Sequence, residues 1–192
     1  MSTPAVTRTF EGVSIPETGT FALDQNHTTV GFVARHLMVS KVRGSFTDVT
    51  GAITLAENPL ESSVEATINA ASITTGAPDR DNHLRSADFL DVETYPTLTF
   101  RSTAVKDFDG SSFVLVGDLT IRGVTKPVSF EFEFGGFGTD PWGNYKAGAT
   151  AKTVVNREEF GLTWNAALET GGVLVGKDVT ITLDLQGALK KD

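Results

Sequence analysis

Few places in this chain could do chemistry. Arg80, Asp81 and His83 crowd together, and Arg157 and Glu158 are adjacent much later. Brought into contact, an imidazole, carboxylates and guanidiniums could move a proton, so an acid–base centre on the Arg80/Asp81/His83 segment is one reading. Charges at the start of a helix have a plainer use in capping and ion pairing. The only histidines are His27, His36 and His83, no two at the spacing of a helical zinc motif, and cysteine is absent. Neither a metal centre nor a disulfide is expected. Nucleophile-elbow, P-loop and dinucleotide fingerprints are missing as well. No residue is assigned as catalytic and no cofactor is called for, and the enzyme reading stays an alternative.

The elements that must position these groups are mostly strands. The exception runs from Thr75 to Phe100, where two-residue alternation stops. Pro78 can open a helical turn, Asp81 and Arg85 sit four apart on one face, and Leu84, Ala87 and Leu90 recur at helical spacing. A short helix over Arg80 to Leu90 is predicted. Tyr95-Pro96 ends the segment, and Thr97-Leu98-Thr99-Phe100 resumes alternation.

Elsewhere the faces can be read directly. Val30, Phe32 and Ala34 share one side of a strand. Val42, Gly44 and Phe46 share one side of the next, which Ile53 and Leu55 resume after a bend expected at Gly51. Val64, Ala66, Ile68 and Ala70 alternate with polar residues, Asp109-Gly110 marks a hairpin, and Phe113, Leu115, Gly117, Leu119 and Ile121 share a face. Val128, Phe130, Phe132 and Phe134 form the richest apolar stripe. Gly135-Gly136 opens a loop to Tyr145, Ala147, Ala149 and Ala151 follow, then the polar corner Asn156 to Glu159, Leu162 and Trp164. Val179, Ile181, Leu183 and Leu185 line the last strand. About eight antiparallel strands without crossover helices exclude a parallel sheet and favour a closed all-β barrel. A barrel of that size is either filled by side chains or holds one small ligand, so strand number does not separate a structural or interaction module from a carrier, and the stripes by themselves favour a filled core.

Composition sets the outer bounds. At 192 residues with 13 Phe the chain can bury one core, and it divides into an arm over 1–19 and a barrel over 20–192. A net charge of −8 opposes nucleic acid and anionic membrane surfaces as partners. The first residues lack a basic leader with an apolar run of about 7–15 residues, and nothing approaches the roughly 20 apolar residues of a helical span. A cytoplasmic protein without stable membrane insertion is expected.

RDNHLRSADFL followed by YPTLTF, together with DQNHTTVGFVARHLMVSKVRGSF, GDLTIRGVTKP and VNREEFGL in that order, resembles the YceI-like family of lipocalin-like, polyisoprenoid-binding proteins. The resemblance covers residues from about 20 to 187. It implies an extended barrel around a long apolar tunnel, non-catalytic binding or transport of an isoprenoid, isoprenoid quinone or similar lipid, and a homodimer. The inward positions then become the tunnel wall. From the first strands come Val30, Phe32, Phe46 and Ile68, and from the helical lid Leu84 and Phe89. The middle strands add Leu98, Phe100, Phe113 and Leu115, and the last part Phe130, Phe132, Leu162, Trp164 and Ile181. Ala147, Ala149, Ala151 and Gly117 would leave space beside the phenylalanines.

Overall fold

Alternation builds thirteen strands in the computed structural model, which describes residues 7–191. A small hairpin, β1 (Arg8–Phe10) and β2 (Val13–Ile15), comes first. Then follow β3 (Gly19–Leu23), β4 (Thr29–His36), β5 (Ser40–Phe46), β6 (Val49–Leu55), β7 (Ser63–Asn69) and β8 (Ile73–Thr74). The helix α1 (Pro78–Arg85) leads into β9 (Thr97–Lys106), β10 (Ser112–Ile121), β11 (Val124–Thr139), β12 (Tyr145–Asn156) and β13 (Val175–Leu189).

Eight of these strands close on themselves. Neighbours run β12-β11-β10-β9-β7-β6-β3-β13, and β13 pairs back onto β12 from Asn156↔Asp178 to Lys146↔Ala188, all antiparallel. Closure removes the exposed edges that an open sheet of this width would carry. Both β3 and β4 pair with β13, β3 near Gly187 and β4 from Val175 to Asp184, so the two are halves of one strand bent at a 3₁₀ turn over Gln25–His27. The same bend separates β5 from β6. It falls at Thr47-Asp48, where both residues bond Ser72, rather than at Gly51 as the sequence suggested. Gly51 has a different reason to be glycine: a Cβ there would lie 2.3 Å from the Glu65 carbonyl oxygen.

Two further expectations are corrected. Gly135-Gly136 does not open a loop, because β11 continues to Thr139 with only a register shift between Phe134 and Gly136. Nor does the helix reach Leu90. It ends when the Ser86 N–H bonds the His83 carbonyl at 3.1 Å, after which Leu90 N–H returns to the Leu84 carbonyl at 3.0 Å and Asp91 takes φ +48°. The expected arm is ordered from Arg8 to Ile15 as the β1–β2 hairpin, turned by Glu11 and Gly12 at φ 48° and 85°, and residues 1–6 lie outside the described residues. Arg8 ties it to the carbonyls of Pro16 (2.8 Å), Glu57 (2.9 Å) and Ala56 (3.2 Å).

Two turns carry an acid titration that can be checked directly. Asp109 accepts from the N–H groups of Ser111 and Ser112, and Asp140 from the side chain and N–H of Asn144 and the N–H of Trp142. These bonds favour the ionised form and hold both carboxyls down at about 2. A depressed folded value means that the contribution to stability is complete above the ordinary aspartate range and is lost as pH falls from about 4 towards 2. Carboxyl NMR titration should find both groups still ionised at pH 3; ordinary midpoints would show that the turn bonds are absent in solution.

Candidate ligand cavity

The barrel interior is not filled. A chamber of about 200 Å³ lies inside it, and the surface that it offers is apolar throughout. Val30 and Phe32 (β4), Phe46 (β5) and Ile68 (β7) line it. So do Leu98 and Phe100 (β9), Leu115 (β10), Phe130 and Phe132 (β11) and Ile181 (β13), with Leu98 beside Ile68 and Ile181 beside Phe32 across the ladders. Leu84 from α1, Phe89 and Leu90 from the turns after it, and Leu162 line it too, so the helical segment covers one end as a lid.

A second chamber of about 120 Å³ is lined by Phe113, Phe134, Ala147, Ala149 and Ile15 among others, and Val64, Leu115 and Phe132 border both chambers. Along β10 the order is Phe113 in the second, Leu115 in both and Leu119 in the first; along β11 it is Phe130 in the first, Phe132 in both and Phe134 in the second. The chambers therefore lie end to end, parted by three side chains. Arg8, Ile15 and Pro16 belong to the far chamber, so the N-terminal hairpin covers the end opposite the lid.

Phe113 is thus in the far chamber, stacked on Phe132 at 5.0 Å between centroids. Trp164 lines neither chamber. Its ring meets His83 edge-on at 4.6 Å and Phe89 at 5.4 Å, backing the lid from outside. The space foreseen at Gly117 is occupied, since a Cβ there would fall 2.4 Å from the Phe100 ring. Ala147 and Ala149 do leave room, in the far chamber. Alternation had already put Val179, Leu183 and Leu185 on the inward face of β13, where they line the wall. Phe160, also on the wall, gave no such signal, because it stands in a 3₁₀ turn after a polar run.

The groups singled out for acid–base chemistry are not gathered into one site. Asp81 is buried and accepts from the Thr75 N–H (2.8 Å), Thr75 Oγ1 (2.5 Å) and Thr74 Oγ1 (3.3 Å); these bonds, led by the Thr75 hydroxyl, hold its carboxyl below the usual aspartate value despite burial. Arg80 donates to Thr75, and Arg85 to the Ala71 and Ile73 carbonyls. Hydrogen bonds, and not the foreseen charge pairs, fasten the helix to its neighbours. His83 directs Nε2 to Asp88 Oδ2 at 2.8 Å. Arg157 is only 5 % exposed and borders the main chamber, yet its guanidinium points at backbone. Nε donates to Gly176 O (2.8 Å), Nη1 to Leu162 O (2.6 Å) and Trp164 O (3.0 Å), and Nη2 to Val175 O (3.3 Å). Burial pushes its pKa below the ordinary arginine value, with Glu158 opposing.

Known proteins share this architecture. The Campylobacter jejuni YCEI protein superposes with a TM-score of 0.71 at 28% identity, over 82% of this chain and 90% of that one. Burkholderia cenocepacia BcnA (TM-score 0.75, 21% identity, 85% of this chain and 98% of that one) has the same fold. So does a polyisoprenoid binding domain from Saccharophagus degradans (TM-score 0.69, 14% identity, 91% and 100%). In sequence, a UPF0312 protein of Pectobacterium carotovorum is 44% identical over 144 residues, 74% of each chain, and one of Staphylococcus aureus is 40% identical over 161 residues, 83% of this chain and 91% of that one. The YceI-like domain pattern matches residues 21–187, which is nearly the whole barrel, and the chain belongs to that family.

Proposed function

We propose that this protein binds or carries an isoprenoid, isoprenoid quinone or similar long apolar chain inside the barrel, and does no chemistry on it. The observation that carries this reading is the pair of chambers in file, walled by apolar side chains and parted only by Val64, Leu115 and Phe132. A long flexible chain fits such a shape better than a compact polar substrate does. The likeness to a polyisoprenoid binding domain points the same way. Burying roughly 600 Å² of chain at about 25 cal/mol per Å² gives on the order of 15 kcal/mol gross, against an association cost of about 4–15 kcal/mol. Binding without catalysis is supported by where the reactive groups spend their bonds: Asp81 on two threonines, His83 on Asp88, Arg157 on carbonyls.

Protein purified without detergent should release a long apolar molecule on solvent extraction, identified by mass spectrometry. Leu115→Ala should then join the chambers and shift retention towards longer chains, at a stability cost of about 2–5 kcal/mol. Empty protein that takes up neither prenols nor quinones in solution would refute the reading and leave the barrel as a structural or interaction module.

A further inference from the structure

The β4–β5 hairpin is built against the usual preferences of turns. The Val39 N–H closes it on the His36 carbonyl at 3.2 Å, and both central residues, Leu37 and Met38, have positive φ (55° and 63°). That backbone suits Asn-Gly, and a Cβ is strained in it. The side chains at the tip are nevertheless apolar and in the open: Leu37 is 41% exposed, Met38 55% and Val39 82%. Neither the strain nor the exposure serves the barrel core.

The charge around this tip opposes that of the whole chain. The protein carries a net −8, yet residues 25–47 contain no Asp or Glu and do contain Arg35, Lys41 and Arg43. On the outer face, Met38 shares a shallow groove with these three and with Lys152 and Lys177. Asp178 is the one acidic residue lining that groove, and Glu158 lies 3.3 Å from Lys177. Screening confines electrostatics to about 10 Å at 0.1 M salt, so an approaching surface meets this basic face and not the net charge.

The tip also stands at the lid end of the barrel. Leu37 N–H donates to Leu174 O at 2.9 Å, Leu174 N–H to Ala166 O at 2.9 Å, and Trp164, two residues earlier, packs on His83 and Phe89 of the lid. We propose that the Leu37-Met38-Val39 tip with its basic collar docks on an anionic lipid bilayer. The apolar residues enter the headgroup layer while the lysines and arginines meet lipid phosphates, and the lid faces the membrane. The contact takes its purpose from the carrier reading, but its evidence is independent of what the cavity holds.

Co-sedimentation of the full chain with phosphatidylcholine vesicles, with and without phosphatidylglycerol, tests it. Binding should require phosphatidylglycerol and fall with added salt. Lys41→Glu with Arg43→Glu should weaken it at least about 25-fold, taking about fivefold for each basic residue lost. Leu37→Asn with Met38→Gly should weaken it about tenfold while the thermal midpoint stays or rises, because that pair suits the turn and removes the apolar wedge. Trp142→Ala should change nothing: that residue is 82% exposed, but it sits in the β11–β12 turn beside Asp140, at the other end of the barrel. Equal binding to both vesicle types, no binding by the parent, or tip variants that bind like the parent would overturn the proposal. A parent dimer by light scattering that the tip variants convert to monomer, with no vesicle binding by either, would also overturn it and make a second copy the occupant. Lipid-loaded protein that ignores anionic vesicles ends this inference alone. An empty barrel that still docks ends only the carrier reading.

Discussion

Replacing Arg157 by leucine is expected to lower the stability of the fold by at least about 1–3 kcal/mol, the cost of leaving the buried Leu162 carbonyl without its donor, with the half-buried Trp164 and Gly176 carbonyls adding to it. After β12 and the 3₁₀ turn Arg157–Phe160, the chain runs from Gly161 to Leu174 with a single isolated bridge, Ala167↔Val173, so it has almost no ladder of its own. The guanidinium takes the place of a ladder, bonding the carbonyls of Leu162, Trp164, Val175 and Gly176 from one side chain. Val175 O keeps a second donor, Asn165 Nδ2 at 2.8 Å, but the other three carbonyls depend on Arg157 more heavily.

Leucine would fill part of the arginine stem's volume and supply no N–H. Lysine would keep a charge, but a compact ammonium cannot imitate a planar fork that reaches four acceptors, so Arg157→Lys should recover only part of the loss. Urea unfolding gives the magnitude, read as a lower midpoint at an unchanged slope. Hydrogen exchange should rise first over residues 161–176, and with it access to the lid end of the chamber, since Leu162 lines the wall and Trp164 backs Phe89. A loss below about 1 kcal/mol would mean that water replaces the guanidinium at these carbonyls.

How far the sequence could be read follows from what alternation encodes. It tells which face of a strand points inward, and Val30, Phe32, Phe130, Phe132 and Ile181 are placed accordingly. It does not tell depth along the barrel, so Phe113, which lines only the far chamber, reads the same as Leu115 and Leu119 on its face. Gly117 looked like vacant space because a sequence shows the missing side chain but not the Phe100 ring that fills the gap. Positions outside regular elements gave the least. Arg157 and Phe160 share one 3₁₀ turn and both are buried, yet in sequence Arg157 belongs to a polar run that reads as a surface corner and Phe160 follows directly after it. Similarly, Leu37 and Met38 show their strain only in φ, which no pattern of residue types discloses.

The sharpest test of the inward face uses two adjacent residues of β11. Phe132→Arg is expected to abolish lipid loading and to destabilise the protein by at least the roughly 3–5 kcal/mol of losing a buried phenylalanine. Phe132 borders both chambers among apolar side chains, stacked on Phe113 and edge-on to Phe130 at 6.4 Å, so a guanidinium there would have no acceptor and would remain desolvated. Glu131 is exposed on the opposite face, opposite Lys152 across the ladder. Glu131→Arg should cost only about 0.2–1 kcal/mol from the like charges it brings together, and loading should persist. Phe132→Leu separates the effect on the chamber from the effect on folding, because it keeps the wall apolar and should load while losing a smaller part of the stability. Bound lipid per protein by mass spectrometry, alongside thermal unfolding, reads all three variants. Equal loading of the two arginine variants at equal stability would place Phe132 outside the wall and remove the partition from between the chambers.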